Sequence, residues 1–154
     1  MAVNIEDLKK LRAETSASIG DVRKALEESD GDLKAARAWL QKKGFERAEK
    51  KGDRVTEQGL VEAYVHANGK IGVLVELLCE TDFVARTDEF KHLAHEISLQ
   101  VSAMNPKNVE ELLAQDYIRD SSKKINDMVK ETISKLGENI TLKRFSRIEI
   151  GLVE

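Results

Sequence analysis

The sequence contains few cysteine and aromatic residues, and it has no excess of positive charge. One cysteine, Cys79, stands among 154 residues, so no disulfide can form within the chain, and a reducing, cytoplasmic location is expected. Four Phe, two Tyr and one Trp provide few rings for stacking on nucleic-acid bases. The 25 basic and 28 acidic residues give a net charge of −3, whereas nucleic-acid-binding proteins usually carry a strong basic excess. The composition therefore favours a protein partner over nucleic acid.

Several motifs that would indicate a membrane, cofactor or catalytic function are also absent. No segment approaches the roughly 20 apolar residues of a membrane span, and the charged start MAVNIEDLKK does not resemble a signal peptide. The phosphate-binding motifs GxxxxGK(S/T) and GxGxxG do not occur. His92 and His95 have a helical spacing that could share a metal, but no third ligand lies near them in the sequence. Cys79 lies in an apolar run without a neighbouring histidine to activate it. We therefore predict no membrane segment, cofactor, metal site or catalytic residue.

The first 45 residues carry the pattern of three short amphipathic helices. Asn4 and Ser18 are candidate N-caps of the first two helices, and Gly44 is the expected C-terminal cap of the third. Helices of this length are not stable alone, so they are expected to pack on one another. Residues 1–45 are therefore predicted to form a three-helix module.

A charged segment follows, and the hydrophobic period then changes from 3.6 to two. Residues 46–58 contain almost no large apolar side chain and predict a linker or a solvated helical extension at the domain boundary. The remaining range, 59–154, is predicted to be the core domain. It begins with two apolar runs, 60–66 and 71–78, on either side of Asn68-Gly69, a pair typical of a type I′ hairpin turn.

The second half of the chain predicts two helices and a final strand. A long helix is expected to stop before Pro106, and another to run from residue 121 or 122 to Leu136. Residues 139–153 alternate in polarity as a strand does. The order β-β-α-α-β predicts an α+β core with a three-stranded, largely antiparallel sheet and packed helices.

The stretch CETDFVARTDEF, residues 79–90, admits two interpretations of Phe83. Phe83 and Phe90 are seven residues apart and would share the buried face of one continuous helix beginning at Thr81. Thr87 is followed by two acidic residues, which is instead typical of a fresh helix N-terminus. Residues 81–86 would then form a separate turn with a projecting aromatic side chain. The residue pattern alone favours neither interpretation.

The segment CETDFVAR (79–86) resembles the signature of bacterial elongation factor Ts, the nucleotide-exchange factor of elongation factor Tu. LKKLRAETSASIGDVRKALEESDGDLKAARAWLQKKG (8–44) is similar to the family's three-helix, ubiquitin-associated-like module. LGENITLKRFSRIEIG (136–151) is similar to its closing helix end and strand. The resemblance covers nearly the whole chain in the right order.

This resemblance implies an exchange factor that performs no covalent chemistry and needs no cofactor. It implies that a turn inserts near the partner's Mg²⁺ and nucleotide, while the N-terminal module docks on the nucleotide-binding domain. A hairpin from a second subunit would touch another domain of the partner. The implied contact residues are Thr81, Asp82, Phe83 and Val84 in the turn, Ile19, Val22, Arg23 and Leu26 in the module, and His66, Asn68 and Gly69 in the hairpin.

Two features depart from the family pattern. Ser16 and Ser18 replace glycines, and Ile19-Gly20 replaces a methionine pair, which puts the contact of the second methionine in doubt. The chain also has one core, with only residues 105–120 where longer members carry an insertion. Short members of the family form homodimers, so a two-fold dimer through the sheet is expected. The alternatives are an adaptor that binds peptides or ubiquitin-like partners, and an RNA-associated protein using residues 42–54.

Overall fold

The computed structural model describes residues 2–152, which form seven helices and two β-sheets. Val153, the end of the predicted final strand, lies outside the described residues. The elements are α1 (Ile5–Thr15), α2 (Ile19–Glu28), α3 (Leu33–Lys50), β1 (Gln58–Val65), β2 (Ile71–Cys79), α4 (Asp82–Ala85), α5 (Asp88–Met104), α6 (Val109–Ala114), β3 (Asp116–Tyr117), β4 (Asp120–Lys124), α7 (Ile125–Leu136) and β5 (Ile140–Glu149). This arrangement confirms the predicted α+β class with an N-terminal helical stretch.

Helices α1 to α3 enclose a small apolar core of their own. The predicted caps are present, since the Asn4 side chain accepts from the Glu6 N–H and the Ser18 hydroxyl accepts from the Asp21 N–H. Each cap satisfies a backbone donor that would otherwise have no partner at the helix end. The buried side chains of this core are Leu11, Val22, Ala25, Leu26, Ala36 and Leu40.

Helix α3 continues through Gly44 to Lys50, so the predicted end of this helix at Gly44 is wrong. A Cβ on Gly44 would lie 2.7 Å from the Ser134 Oγ of α7, so the missing side chain allows the two helices to approach closely. Beyond that contact, Lys130 donates to Glu49 at 3.0 Å. Packing against α7 thus carries the helix past the glycine and into the segment predicted as a linker or a solvated helical extension.

The main sheet has the order β1-β2-β5, with the central strand β2 antiparallel to both neighbours. Side chains of β2 alternate between a buried face and an outer face, as the pleat requires. Val73, Val75, Leu77 and Cys79 point into the core, where α5 covers the sheet with Phe90 and other apolar residues. The three-stranded antiparallel sheet was predicted from the sequence and is confirmed.

The loop that connects β1 to β2 is longer than the predicted two-residue turn. The His66 N–H donates to the Ile71 carbonyl, and the Gly69 N–H donates to the His66 carbonyl at 2.7 Å. Of the two expected turn residues, only Gly69 has a positive φ (71°). A type I′ turn requires a positive φ at both central residues, so the predicted turn type is wrong.

The helix predicted from residue 121 or 122 begins later, because residues 120–124 form strand β4. The Ser122 hydroxyl donates to Asp120 at 2.5 Å and does not cap a helix. Helix α7 starts at Ile125, where the Lys124 N–H donates to Asp127 at 2.9 Å. The pairing of β4 with β3 in a short hairpin therefore overrides the helix-start signal.

A buried hydrogen bond holds the β3–β4 hairpin on α5. The Tyr117 hydroxyl donates to Glu96 Oε2 at 2.5 Å, and Arg119 pairs with the same carboxylate at 3.3 Å. Burial and this carboxylate raise the pKa of Tyr117 to about 12. Because the folded-state pKa is raised, the stabilisation is complete below the unfolded pKa of about 10 and is lost as pH rises toward 12.

The Tyr117→Phe variant should therefore lose the alkaline sensitivity that this residue confers. The wild-type protein should lose on the order of 2 kcal/mol more unfolding free energy than Tyr117→Phe between pH 10 and 12. Urea denaturation of both proteins across this range would measure the difference. A constant difference across the range would contradict the assignment of the raised pKa to Tyr117.

Candidate protein-binding site

Phe83 lies in α4, a single helical turn between the end of β2 and the start of α5. The Thr87 hydroxyl accepts from the Phe90 N–H at 3.2 Å and begins α5, so α4 and α5 are separate helices. Phe83 is 75% exposed, whereas Phe90 is fully buried. The structure therefore selects the second interpretation of the sequence, in which Phe83 projects from a separate turn.

The other residues of the turn anchor it to the core. The Thr81 hydroxyl caps α4 by accepting from the Val84 N–H at 3.4 Å. Val84 is partly buried and packs on the core, and Ala85 is buried within it. The turn is thus attached through Thr81, Val84 and Ala85, while the side chains of Asp82 and Phe83 face outward.

Asp82 forms an ion pair that the sequence reasoning missed. Arg86 Nη2 lies 2.8 Å from Asp82 Oδ2, and both side chains are exposed. The two residues are four apart, a spacing at which opposite charges on a helix meet, so this pair could have been found from the sequence. Arg86 therefore holds the carboxylate of the turn in the free protein.

Cys79 ends β2 just before the turn. Its Sγ donates to the Thr81 carbonyl at 3.0 Å, and the side chain is buried. Burial, reinforced by the nearby Glu138 carboxylate, raises the pKa of this thiol. A protonated, buried thiol is a poor nucleophile, in agreement with the prediction of an inert cysteine.

The module residues predicted to contact a partner separate into two groups. Val22 and Leu26 are buried in the core of the module, so the prediction that they contact a partner directly is corrected. Ile19 is half exposed, and Arg23 is exposed and paired with Glu27 at 3.1 Å. Of the four predicted residues, Ile19 and Arg23 therefore lie on the surface of α2, and the two buried residues support that surface from beneath.

The hairpin residues His66, Asn68 and Gly69 are exposed at the opposite end of β2 from the turn. Strand β2 has nine residues, so its two ends are about 26 Å apart at 3.3 Å per residue. Within one protomer the hairpin and the Phe83 turn therefore form separate surfaces.

The two histidines that were considered as metal ligands face different carboxylates. The His95 ring faces Glu62 at 3.2 Å, whereas His92 points toward Glu96 at 4.0 Å. Within residues 2–152 no three His, Cys, Asp or Glu side chains are grouped as metal ligands. No helix in this described part is long and apolar enough to span a bilayer.

Comparison with known proteins identifies one family. The family model described as Elongation factor TS matches residues 80–153. Elongation factor Ts of Thermotoga neapolitana is 42% identical over 98% of this chain and 98% of its own length. The proteins of the same name from Coprothermobacter proteolyticus and Oleidesulfovibrio alaskensis are 42% and 39% identical over similar shares. The first alignment has 194 positions against 154 residues, so at least 40 positions of that relative have no counterpart here.

The fold and the site define a small α+β protein that presents an aromatic side chain on a capped turn at the end of its central strand. The extent of the similarity then identifies the particular family. This chain belongs to the elongation factor Ts family.

The contrast between Phe83 and Phe90 is testable by stability alone. Because Phe83 is largely exposed, Phe83→Ala should change the unfolding free energy by less than about 0.5 kcal/mol. Phe90→Ala leaves a cavity in the core and should cost about 3–5 kcal/mol. Urea denaturation of both variants measures the contrast, and a large loss in Phe83→Ala would show that Phe83 supports the fold.

Proposed function

We propose that this protein is the guanine-nucleotide exchange factor of elongation factor Tu and that it promotes GDP release during translation elongation. Membership of the elongation factor Ts family supports this role. The observation that carries the proposal is the exposure of Phe83 on an anchored turn, because an exposed aromatic side chain on a rigid support is suited to insert into a partner.

The exchange reaction requires binding energy and no covalent chemistry. An exchange factor must bind the nucleotide-free partner more tightly than the nucleotide-bound one, and this coupling is reciprocal. Insertion of Phe83 into an apolar pocket of the partner would contribute roughly 1.5–3 kcal/mol. If the pocket opens only when nucleotide leaves, that energy favours release.

Asp82 is proposed to disturb the groups that hold Mg²⁺ in the partner. In the free protein its carboxylate is paired with Arg86 on the surface. Exposed ion pairs of this kind contribute only about 0–1 kcal/mol, so exchanging Arg86 for a new partner costs little. The ion pair keeps the Asp82 carboxylate ordered beside Phe83, and it is weak enough for the carboxylate to leave Arg86 for a group of the partner.

The module is proposed to dock on the nucleotide-binding domain of elongation factor Tu through Ile19 and Arg23. Helix α3 packs along α7, which places the module in contact with the core domain. Two separated contacts on one partner can act together when the scaffold between them is rigid. Docking by the module would thus assist insertion of the turn.

The Phe83→Ala variant provides the main functional test. We expect its acceleration of GDP release from elongation factor Tu to fall about 30-fold, corresponding to about 2 kcal/mol for loss of a binding hot spot. Release of a fluorescent GDP analogue on mixing would be measured by stopped flow. Val55→Ala is a suitable control, because Val55 is equally exposed but lies outside the turn.

Other outcomes separate the exchange factor from an adaptor. Absence of acceleration by the wild-type protein at any concentration would contradict the proposal. An adaptor would retain partner binding in Phe83→Ala and lose it in Arg23→Ala, because its contact would lie on the module alone.

We also propose that the protein forms a two-fold homodimer through the outer face of its main sheet. This face, called here the outer sheet face, carries apolar side chains that the single protomer leaves exposed: Val61, Val65, Leu74, Ile148 and Ile150. Exposed apolar patches of this kind mark interfaces, and a two-fold axis would bring the same patch of each protomer together. Across the dimer, His66, Asn68 and Gly69 of the second protomer would contact a further domain of elongation factor Tu.

Leu74→Lys should convert the dimer to a monomer, because it places a charge in the middle of the outer sheet face. Sedimentation analysis at micromolar concentration would show the change in mass. Val55→Lys introduces the same charge at an exposed apolar position outside the sheet and should leave the dimer intact. A wild-type protein that sediments as a monomer would rule out this interface.

A further inference from the structure

The turn that carries Phe83 is held by a carboxylate distant in sequence. Glu138 follows α7, and its Oε1 accepts from the Thr81 N–H at 2.9 Å. Its Oε2 accepts from the Thr81 hydroxyl at 2.7 Å. Both oxygens of one carboxylate are thus used by one residue of the turn, and hydrogen bonds to a charged acceptor are stronger than those between neutral groups.

The loop that carries Glu138 is itself fixed to the residue after β2 and to the segment before β1. The Asn139 N–H donates to Glu80 at 2.8 Å, and the Asn139 side chain donates to the Arg54 carbonyl at 2.9 Å and the Gly52 carbonyl at 3.4 Å. Glu80 and Thr81 are neighbours in the chain, and so are Glu138 and Asn139. A carboxylate of each segment therefore accepts hydrogen bonds from the other segment. This reciprocal arrangement leaves the Glu138 carboxylate little freedom to move.

The hydroxyl of Thr81 transmits this constraint to the turn. A hydroxyl has one proton and two lone pairs. Because the proton is directed to Glu138, a lone pair of Oγ1 remains for the Val84 N–H. Phe83 lies between Thr81 and Val84 and is mostly exposed, so its direction depends on the backbone that these bonds fix.

We propose that Glu138 is a positioning residue of the exchange turn: it orients Phe83 through Thr81 and does not itself contact nucleotide or Mg²⁺. This inference rests on the proposed exchange function, but its structural part can be tested without the partner. Removing the carboxylate releases Thr81, the N-cap of α4, and allows Phe83 to sample directions that do not enter the pocket. The expected loss is therefore in the rate of exchange rather than in the stability of the fold.

Amide hydrogen exchange of the free protein tests the positioning directly. In Glu138→Ala, the Thr81 and Val84 amides should exchange at least about tenfold faster, because the hydrogen bonds that protect them are lost or weakened. The Phe90 amide, which is capped by Thr87, should keep its wild-type rate. Unchanged exchange at Thr81 and Val84 would overturn the inference, whatever the function of the protein.

The rate of GDP release from elongation factor Tu tests the functional consequence. Glu138→Ala should lower the maximal rate about tenfold, while the concentration for half-maximal rate changes less, because module contacts remain. Glu138→Gln keeps one acceptor for the Thr81 N–H and should fall between wild type and Glu138→Ala. Val129→Ala removes buried volume from α7 and controls for lost stability, and it should keep the wild-type rate.

A double variant distinguishes the positioning of Phe83 by Glu138 from a general effect of Glu138 on the exchange rate. If Glu138 acts through Phe83, then adding Glu138→Ala to Phe83→Ala should lower the exchange rate no further. Equal losses in Glu138→Ala and Val129→Ala, or full additivity with Phe83→Ala, would overturn the positioning role. Wild-type protein without exchange activity but with the predicted amide protection would refute the proposed function and leave the structural role of Glu138 standing.

Discussion

The exposed position of Phe83 depends on two threonine caps that divide one stretch of chain into two helices. Thr81 caps α4, and Thr87 caps α5 six residues later. Without the second cap, Phe83 would lie in register with Phe90, which the core buries completely. The hydroxyl of Thr87 satisfies the backbone donor of the new helix and ends the previous one after a single turn. A large aromatic side chain is thereby left outside the core on a support that the core holds.

That support extends to the rest of the molecule through α3, α7 and the loop after α7. Gly44 allows α3 to lie close to Ser134 of α7, and α7 leads into the residues that bond the turn. The N-terminal module and the Phe83 turn are therefore joined by packed helices and hydrogen bonds. Such a scaffold keeps the two surfaces proposed to bind elongation factor Tu in a fixed relation, which would reduce the entropy lost if both engage it. This scaffold is present although the chain lacks at least 40 positions of a related protein.

Local signals in the sequence were sufficient for much of the fold. Asn4, Ser18 and Thr87 were recognised as caps because a cap is a contact between residues two or three positions apart. The alternation of apolar residues likewise indicated the three-stranded sheet. On α2 the helical spacing of Ile19, Val22 and Leu26 forms an apolar stripe, and the burial of Val22 and Leu26 follows from it. The partner contacts assigned to them came from the family resemblance and ignored that pattern.

The sequence by itself determined the elements whose stabilising contacts are local, and it left Phe83 undecided because both interpretations satisfied the local rules. Tertiary structure decided the features that rest on distant partners: the passage of α3 through Gly44 along α7, and the bonds between Glu138 and Thr81. Those contacts join residues tens of positions apart. No periodicity along the chain encodes them, since they form only when packing brings separate elements together.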